Sequence, residues 1–261
     1  MTTEQLATIK AGITDGVVRL TLTRPAQRNP LNVEVSREIS YAVKKYAYRS
    51  DAKVLILGGE GRSFSAGHDL KVPWQGTTAR DRLLEYSRYQ QMFVDIETAP
   101  VVKIAQVQGH AVGAGLVLPT LCELRYGSTD SSLRLSELDL GAPFSMGGFP
   151  RLARLIGLTR ASDLLLTGRA MGAEEALAGG FFTEVVDHDR LADRVTEVAT
   201  AVARRSSLVL MESTRQIRET ADEIVSGQRN ELVALMAAHL DPESRASGAE
   251  YGARFAAPAT Q

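Results

Sequence analysis

The sequence carries one cysteine, Cys122, in 261 residues. A single thiol cannot close an intrachain disulfide, which fits a reducing compartment. It lies in the apolar stretch LVLPTLCEL, where a free thiol is expected to act as a small, inert, buried hydrophobe. Net charge is scarce as well: 30 Lys and Arg against 31 Asp and Glu leave −1. That balance argues against nucleic acid or an anionic membrane surface as the main partner. Long apolar runs are missing. No window reaches the roughly 20 apolar residues that cross a bilayer, and the polar start MTTEQLATIK does not read as a secretory leader. No metal-ligand spacing of His, Cys, Asp or Glu occurs. A cytoplasmic protein, with no membrane and no metal, is the expectation.

What is present is a large apolar share, 44% of the chain, enough for one sizeable core or a core with a small appendage. GVVRLTLTRP alternates Val18, Leu20 and Leu22 against polar residues and predicts a strand ended by Pro25. Val35, Ile39, Ala42, Val43 and Tyr46 fall at helical spacing. KVLILGGEG and PVVKIAQVQG are short apolar runs closed by glycine, as buried strands are. Between them, Tyr86, Tyr89, Met92, Phe93 and Ile96 predict a helix over Arg80–Glu97. ELRYGS, SLRLSE and FFTEVV predict further strands, and GGFPRLARLIG, TRASDLLLTG and GAEEALAGG predict short helices. Beyond Asp187 only helical patterns follow, one through Leu191, Val195, Val198 and Val202, then two around Leu208–Thr220 and Ile224–Leu240. The expectation is an α/β layered core followed by a helical tail whose apolar faces need a partner surface.

Two small-residue loops follow two of the buried strands: FSAGHDL and GHAVGAGL. Neither has the spacing of a common phosphate cradle. Ligands in α/β proteins often bind beyond the carboxyl ends of strands. Residues after Gly113 have helical propensity, and a helix starting there would leave N–H groups without intrahelical acceptors. Two such donors, one per loop, would hold a developing oxyanion, at about 3–4 kcal/mol per donor in known enzymes. The same glycines would equally serve tight strand-to-helix packing.

RPAQRNPLN, VLILGGEGRSFSAGHDL, PVVKIAQVQGHAVGAGLVL, LSELDLGAPFSMGGFPRLARLIG and LLLTGRAMGAEEALAGGFFTEVV occur in the order and spacing of the crotonase superfamily, the enoyl-CoA hydratase/isomerase family. The chain resembles it clearly over Gly16–Asp187 and weakly beyond. The resemblance implies an α/β fold, a crotonase-type spiral of ββα units with a C-terminal helical trimerisation region. Residues 1–195 would form the core with the acyl-CoA site, and residues 196–261 the oligomerisation region of a homotrimer or a hexamer. It further implies a coenzyme A thioester as substrate, with no bound cofactor. The thioester oxygen would accept from the backbone N–H groups of His68 and Ala114. The rest of the ligand would run along Arg28 and the loop of Ser65, Ala66, Gly67, Asp69 and Leu70, with Gly113 and Val117 beside the acyl end.

Hydratases that this sequence resembles carry two glutamates. Val117 stands at the first position and Glu137, in RLSELDLG, at the second. Hydration needs one group to activate water and another to manage the C2 proton, and valine does neither. One carboxylate suffices to move a proton between two carbons of an enolate, so the resemblance points to single-base isomerisation of an enoyl-CoA with Glu137 as the catalytic base. An apolar neighbour such as Val117 is expected to raise a buried carboxyl's pKa. Two alternatives stay open: a hydratase with a substitute acid, for which Asp69 and Asp139 are the nearest candidates, and a non-catalytic acyl-CoA binder. The sequence departs from the family pattern at Pro30, at Pro119, which is expected to kink or delay the helix after the second loop, and at FSMGG, Phe144–Gly148, which adds bulk beside the acyl site. It also lacks a basic cluster after Phe255.

Overall fold

The computed structural model describes residues 2–72, 78–137, 139, 144, 146–222, 242 and 246. The helix expected over Ile224–Leu240 and the segment around Phe255 lie outside them. The chain opens with an antiparallel meander of β1 (Thr2–Gln5), β2 (Ile9–Thr14) and β3 (Val17–Leu22). A 3-10 turn at Pro25–Gln27 leads to α1 (Val33–Ala42), capped by the Asn32 side chain accepting from the Val35 N–H at 3.0 Å. Its last apolar positions continue as a π-helical turn, Val43–Ala47. Then come β4 (Val54–Gly59), α2 (Ala79–Thr98), β5 (Val102–Val107), β6 (His110–Val112) and α3 (Ala114–Thr120). After these follow β7 (Leu124–Ser128), β8 (Ser132–Arg134), α4 (Gly148–Ile156), α5 (Leu158–Thr167) and β9 (Ala170–Gly172). The described order ends with α6 (Ala173–Ala178), β10 (Glu184–Val186), α7 (His188–Ala203) and α8 (Ser207–Asp222).

Among the described residues these strands make two sheets. The large one runs β1-β2-β3-β4-β5-β7-β10, parallel from β3 onward, and the small one runs β6-β8-β9. β4 is buried along its whole length, and so are all but one residue of β5, as continuous apolar central strands should be. One sheet face packs the main core, with Leu55 and Leu57 against Ile39 of α1, Met92 and Ile96 of α2 and Leu116 of α3 in one cluster. The other face carries Val54, Ile56, Val102, Ile104 and Tyr126 against Leu191, Val195 and Ala199 of α7. The layered α/β fold thus matches the expectation. The division expected between residues 195 and 196 falls inside α7, which runs unbroken across it and packs on the sheet.

Pro119 behaves differently from its local reading, while Cys122 is buried as expected. α3 begins at Ala114 directly after the glycine turn, so Pro119 neither delays nor prevents it; the helix ends one residue beyond the proline, with the Thr120 hydroxyl donating to the Val117 carbonyl. Cys122 is buried, and burial pushes its thiol up to about 12, which keeps it protonated and inert.

Candidate active site

The two small-residue loops meet at the ends of β4 and β5. The first is fixed from below by Asn29, a buried residue in left-handed conformation (φ 53°) whose amide donates to the carbonyls of Glu60 and Ser63, each at 2.9 Å. Ser65 is fully buried; its hydroxyl donates to the Asn29 carbonyl at 2.8 Å and accepts from the Gly67 N–H at 3.2 Å. Ser65 also pairs with Ala111 of β6, and His68 pairs with Leu31. In the latter bridge, Leu31 donates to Gly67 and Asp69 donates to Leu31. The bonds use the neighbours of His68, so its own N–H is directed away from Leu31. Ala66 donates to the Arg28 carbonyl at 2.8 Å, which anchors the loop to the Arg28–Asn29 turn.

Gly67 (φ 82°) brings this loop against the second one. A Cβ there would collide with the Val112 carbonyl oxygen and stand 3.5 Å from the Ala114 nitrogen. Ala114 is the first residue of α3, and among the described residues no carbonyl accepts from its N–H. Gly113 precedes it at φ 52°, ψ −123°, a region open to glycine and closed to other residues. Its own N–H donates to the Arg134 carbonyl of β8 at 2.9 Å.

β8 also leads straight to Glu137. The Glu137 Oε1 lies 2.7 Å from the position of a Cβ on Gly113, so the carboxylate rests against the backbone of the second glycine loop. Its Oε2 is buried and has no hydrogen-bond partner among the described residues. Burial drives the Glu137 pKa above the usual glutamate value; backbone N–H bonds from Glu137 and Ser136 oppose that shift only in part. A base with a raised pKa is expected to give a rate that falls as pH drops through that raised value. The acid limb of a pH–rate profile should therefore sit above the ordinary glutamate range, and a limb at or below that range would contradict it.

One helical turn past Gly113, Val117 is 1% exposed. A Cβ on Gly148 would stand 2.8 Å from Val117 Cγ2 and 2.5 Å from Phe144 Cζ. Valine, phenylalanine and the bare glycine at the start of α4 therefore form one apolar wall. Such a wall gives no polar partner to an ordered water.

The remaining candidates separate. Arg28 is exposed and left-handed (φ 64°), and its guanidinium makes no hydrogen bond or ion pair among the described residues. Leu70 is 68% exposed at the end of the first loop. Asp69 is buried and held by Arg24 at 3.1 Å, while Asp139 is exposed and held by Arg134 at 2.8 Å. Both substitute acids are thus committed to arginines. The His68 ring packs 5.4 Å from that of Tyr89 (centroid to centroid), and His110 is exposed on β6. Among the described residues no cluster of three or more metal-ligating side chains occurs, and no helix is long and apolar enough to cross a membrane.

Sequence reasoning missed an ion pair that ties α4 to α2. Arg151 of α4 binds Glu97 of α2 with two bonds, Nε to Oε1 at 3.0 Å and Nη2 to Oε2 at 2.7 Å, and donates from Nη1 to the Met146 carbonyl at 2.9 Å. An RxxR pattern on an amphipathic helix looks like solvated surface, and nothing local links it to an acid 54 positions earlier.

The structure thus brings the two glycine-containing loops, the start of α3, the partly buried Glu137 carboxyl and the apolar contacts of Val117 together at the strand ends of a layered α/β fold. The profile of the enoyl-CoA hydratase/isomerase family matches residues 12–250, and the chain belongs to that family. It is 31% identical over 228 residues to the 2,3-dehydroadipyl-CoA hydratase of Escherichia coli K12, covering 86% of this chain and 88% of that one. It is 28% identical over 232 residues to the human mitochondrial Delta(3,5)-Delta(2,4)-dienoyl-CoA isomerase, covering 82% and 69%. Among solved structures, the enoyl-CoA hydratase of Bacillus anthracis superposes with a TM-score of 0.87 at 28% identity, over 95% of this chain and 96% of that one. A Thermobifida fusca YX chain, provisionally described as an enoyl-CoA hydratase and solved in complex with acetoacetyl-CoA, gives 0.80 at 27% identity, over 88% and 94%.

Proposed function

We propose that this protein is a single-base isomerase of enoyl-CoA thioesters. The observation that carries the reading is Glu137, a half-buried carboxylate lying against Gly113, with its Oε2 unpartnered among the described residues and with Val117 where a second acid would be needed for hydration. The thioester oxygen of a 3-enoyl-CoA accepts from the His68 and Ala114 N–H groups. Glu137 takes a proton from C2, the electron pair delocalises into the thioester as a dienolate, and the same carboxyl returns the proton to C4. The double bond then lies between C2 and C3, and no atom is gained or lost. Stabilising the dienolate more than the ground state is what lowers the barrier. The wall of Val117 and Phe144 favours this path over water addition.

Incubation with a 3-enoyl-CoA in heavy water tests the reading. A 2-enoyl-CoA with no added oxygen is expected, and any deuterium at C4 measures how often the carboxyl proton exchanges with solvent before its return. A 3-hydroxyacyl-CoA product would replace this reading with hydration, and binding without either product would make the protein an acyl-CoA binder.

Arg28 belongs to the same proposal as the residue that meets the phosphates of coenzyme A. Arg28→Gln is expected to raise KM for the thioester by about 3–10-fold with little change in kcat, the loss of roughly 1 kcal/mol of exposed charge attraction. The difference between variant and parent should shrink as salt rises; an equal KM at low salt would remove Arg28 from the site. For the assembly, we propose a homotrimer or hexamer with residues 196–261 as its oligomerising region. The exposure of Leu158 (65%) and Leu166 (73%) on α5 supports a covered surface. Sedimentation at a monomer mass across the micromolar range would rule it out.

A further inference from the structure

We infer that Ser65 is a positioning residue that sets the spacing of the two backbone donors proposed for the thioester oxygen. This rests on the proposed binding of that oxygen by the His68 and Ala114 N–H groups. Ser65 is fully buried, and each of its polar atoms is bonded within the protein. Its N–H donates to the His110 carbonyl and its carbonyl accepts from the Val112 N–H, each at 3.0 Å, which fastens the first loop to β6. Its Oγ donates to the Asn29 carbonyl at 2.8 Å and accepts from the Gly67 N–H at 3.2 Å. The hydroxyl therefore acts through its neighbours and does not reach a ligand itself.

Gly67 is where the first donor is aimed. Its N–H is held by Ser65 Oγ, and its carbonyl accepts from the Leu31 N–H at 2.7 Å. Both peptides flanking Gly67 are thus fixed, and the second of them carries the His68 N–H. A glycine at φ 82° has wide freedom of its own, so these bonds set the direction. The same hydroxyl also bears the second loop. A Cβ on Gly115 would stand 2.7 Å from Ser65 Oγ and 2.8 Å from both Ser65 Cβ and the Ser65 carbonyl oxygen. The first turn of α3 therefore rests directly on Ser65, one residue past the Ala114 N–H. One buried oxygen touches both donor-bearing segments and fixes how far apart they stand. Its loss would take a bond from the Gly67 N–H and from the Asn29 carbonyl, and would leave a gap beneath Gly115. A donor moved out of place weakens its hold on charge that develops in the transition state more than it weakens substrate binding.

Two readouts on Ser65→Ala and Ser65→Cys test this: steady-state kinetics with a 3-enoyl-CoA, and the infrared carbonyl stretch of bound butanoyl-CoA, isotope-labelled at the thioester carbon. Two donors weaken the carbonyl bond, so in the parent the stretch should fall on binding. Ser65→Ala is expected to lower kcat about 10–100-fold, as misplacement of a donor does, and to leave KM within about threefold. The bound carbonyl stretch should move back toward that of the free thioester. Ser65→Cys keeps a weaker hydrogen-bonding group in the same place and should fall between the two. It carries the test if the alanine variant fails to fold. A residue that only stabilised the fold would lower the melting temperature and leave kcat and the carbonyl stretch of the folded protein alone. A folded variant that matches the parent in both readouts therefore overturns the inference. So does a parent in which the carbonyl stretch does not fall on binding, because no donors would then be there to space. A carbonyl shift that is lost in Ser65→Ala, in a protein that never isomerises, would leave this inference standing and defeat the proposed reaction. Isomerisation at the parental rate by folded Ser65→Ala, with the carbonyl shift intact, would do the reverse.

Discussion

Glu137→Gln is expected to lose turnover by about 10²–10⁴-fold, the usual contribution of a positioned general base, while its melting temperature rises. The two effects share a cause. The Glu137 carboxyl is buried against Gly113, one oxygen lacks a partner among the described residues, and burial raises its pKa. The folded protein therefore holds that proton more tightly than the unfolded chain does. Stability from this group is highest in acid, declines as pH rises from the unfolded glutamate value to the raised folded value, and above that the full cost of the ionised form is present. An amide of the same shape carries no such cost at neutral pH. For a chain of this size each 1 kcal/mol recovered moves the midpoint by about 2–4 °C. Differential scanning calorimetry at pH 5 and pH 8 should show the gain of the variant over the parent growing with pH. Acyl-CoA affinity should stay near that of the parent. Turnover at the parental rate would remove Glu137 as the base, and a lower midpoint at pH 8 would show that the carboxylate stabilises the fold after all. A site that costs stability where it performs chemistry is a common pattern among enzymes.

Gly113→Ala should damage both properties together. The backbone there sits at φ 52°, ψ −123°, and the new methyl would stand 2.7 Å from Glu137 Oε1. The conformational cost alone is of order 1–3 kcal/mol. Relief would come by rotating the peptide that carries the Ala114 N–H, by displacing the Glu137 carboxylate, or both. Either movement separates the donor from the base, so kcat should fall by at least about 10²-fold, the effect of losing one oxyanion donor. Steady-state kinetics and a thermal scan on one preparation check it. A variant with parental kcat would mean that the Gly113–Ala114 peptide does not contact the thioester oxygen.

The parts of the fold that could be read from sequence are those whose burial pattern is local. VLILGG carries no polar side chain and VKIAQV only Lys103 and Gln106, because both faces of these strands are covered, and they form β4 and β5. The N-terminal strands were missed: β1 reads TTEQ, polar and mostly exposed on the sheet edge, and β2 is interrupted by Gly12. β6 and β9, three residues each, are strands only by virtue of their pairing with β8. In the site, the glycine loops and the exchange of a carboxylate for Val117 were visible as residue types. The contact of Glu137 with Gly113 joins positions just past the ends of β8 and β6 and has no local signature. Phe144 could be seen as added bulk, but its seat on Gly148, and the Arg151–Glu97 pair between α4 and α2, depend on the tertiary fold.

β8 carries a mechanical consequence. Its Arg134 carbonyl accepts from Gly113, it pairs with β6, and three residues later the chain presents Glu137. The proposed donor and the proposed base thus both follow directly from strands of one small ladder. A disturbance that tilts this ladder carries both groups with it and leaves their separation intact. On the proposed reaction, distant substitutions in the large sheet should therefore show first in KM, through a misaligned substrate, well before they part Glu137 from the Gly113–Ala114 peptide.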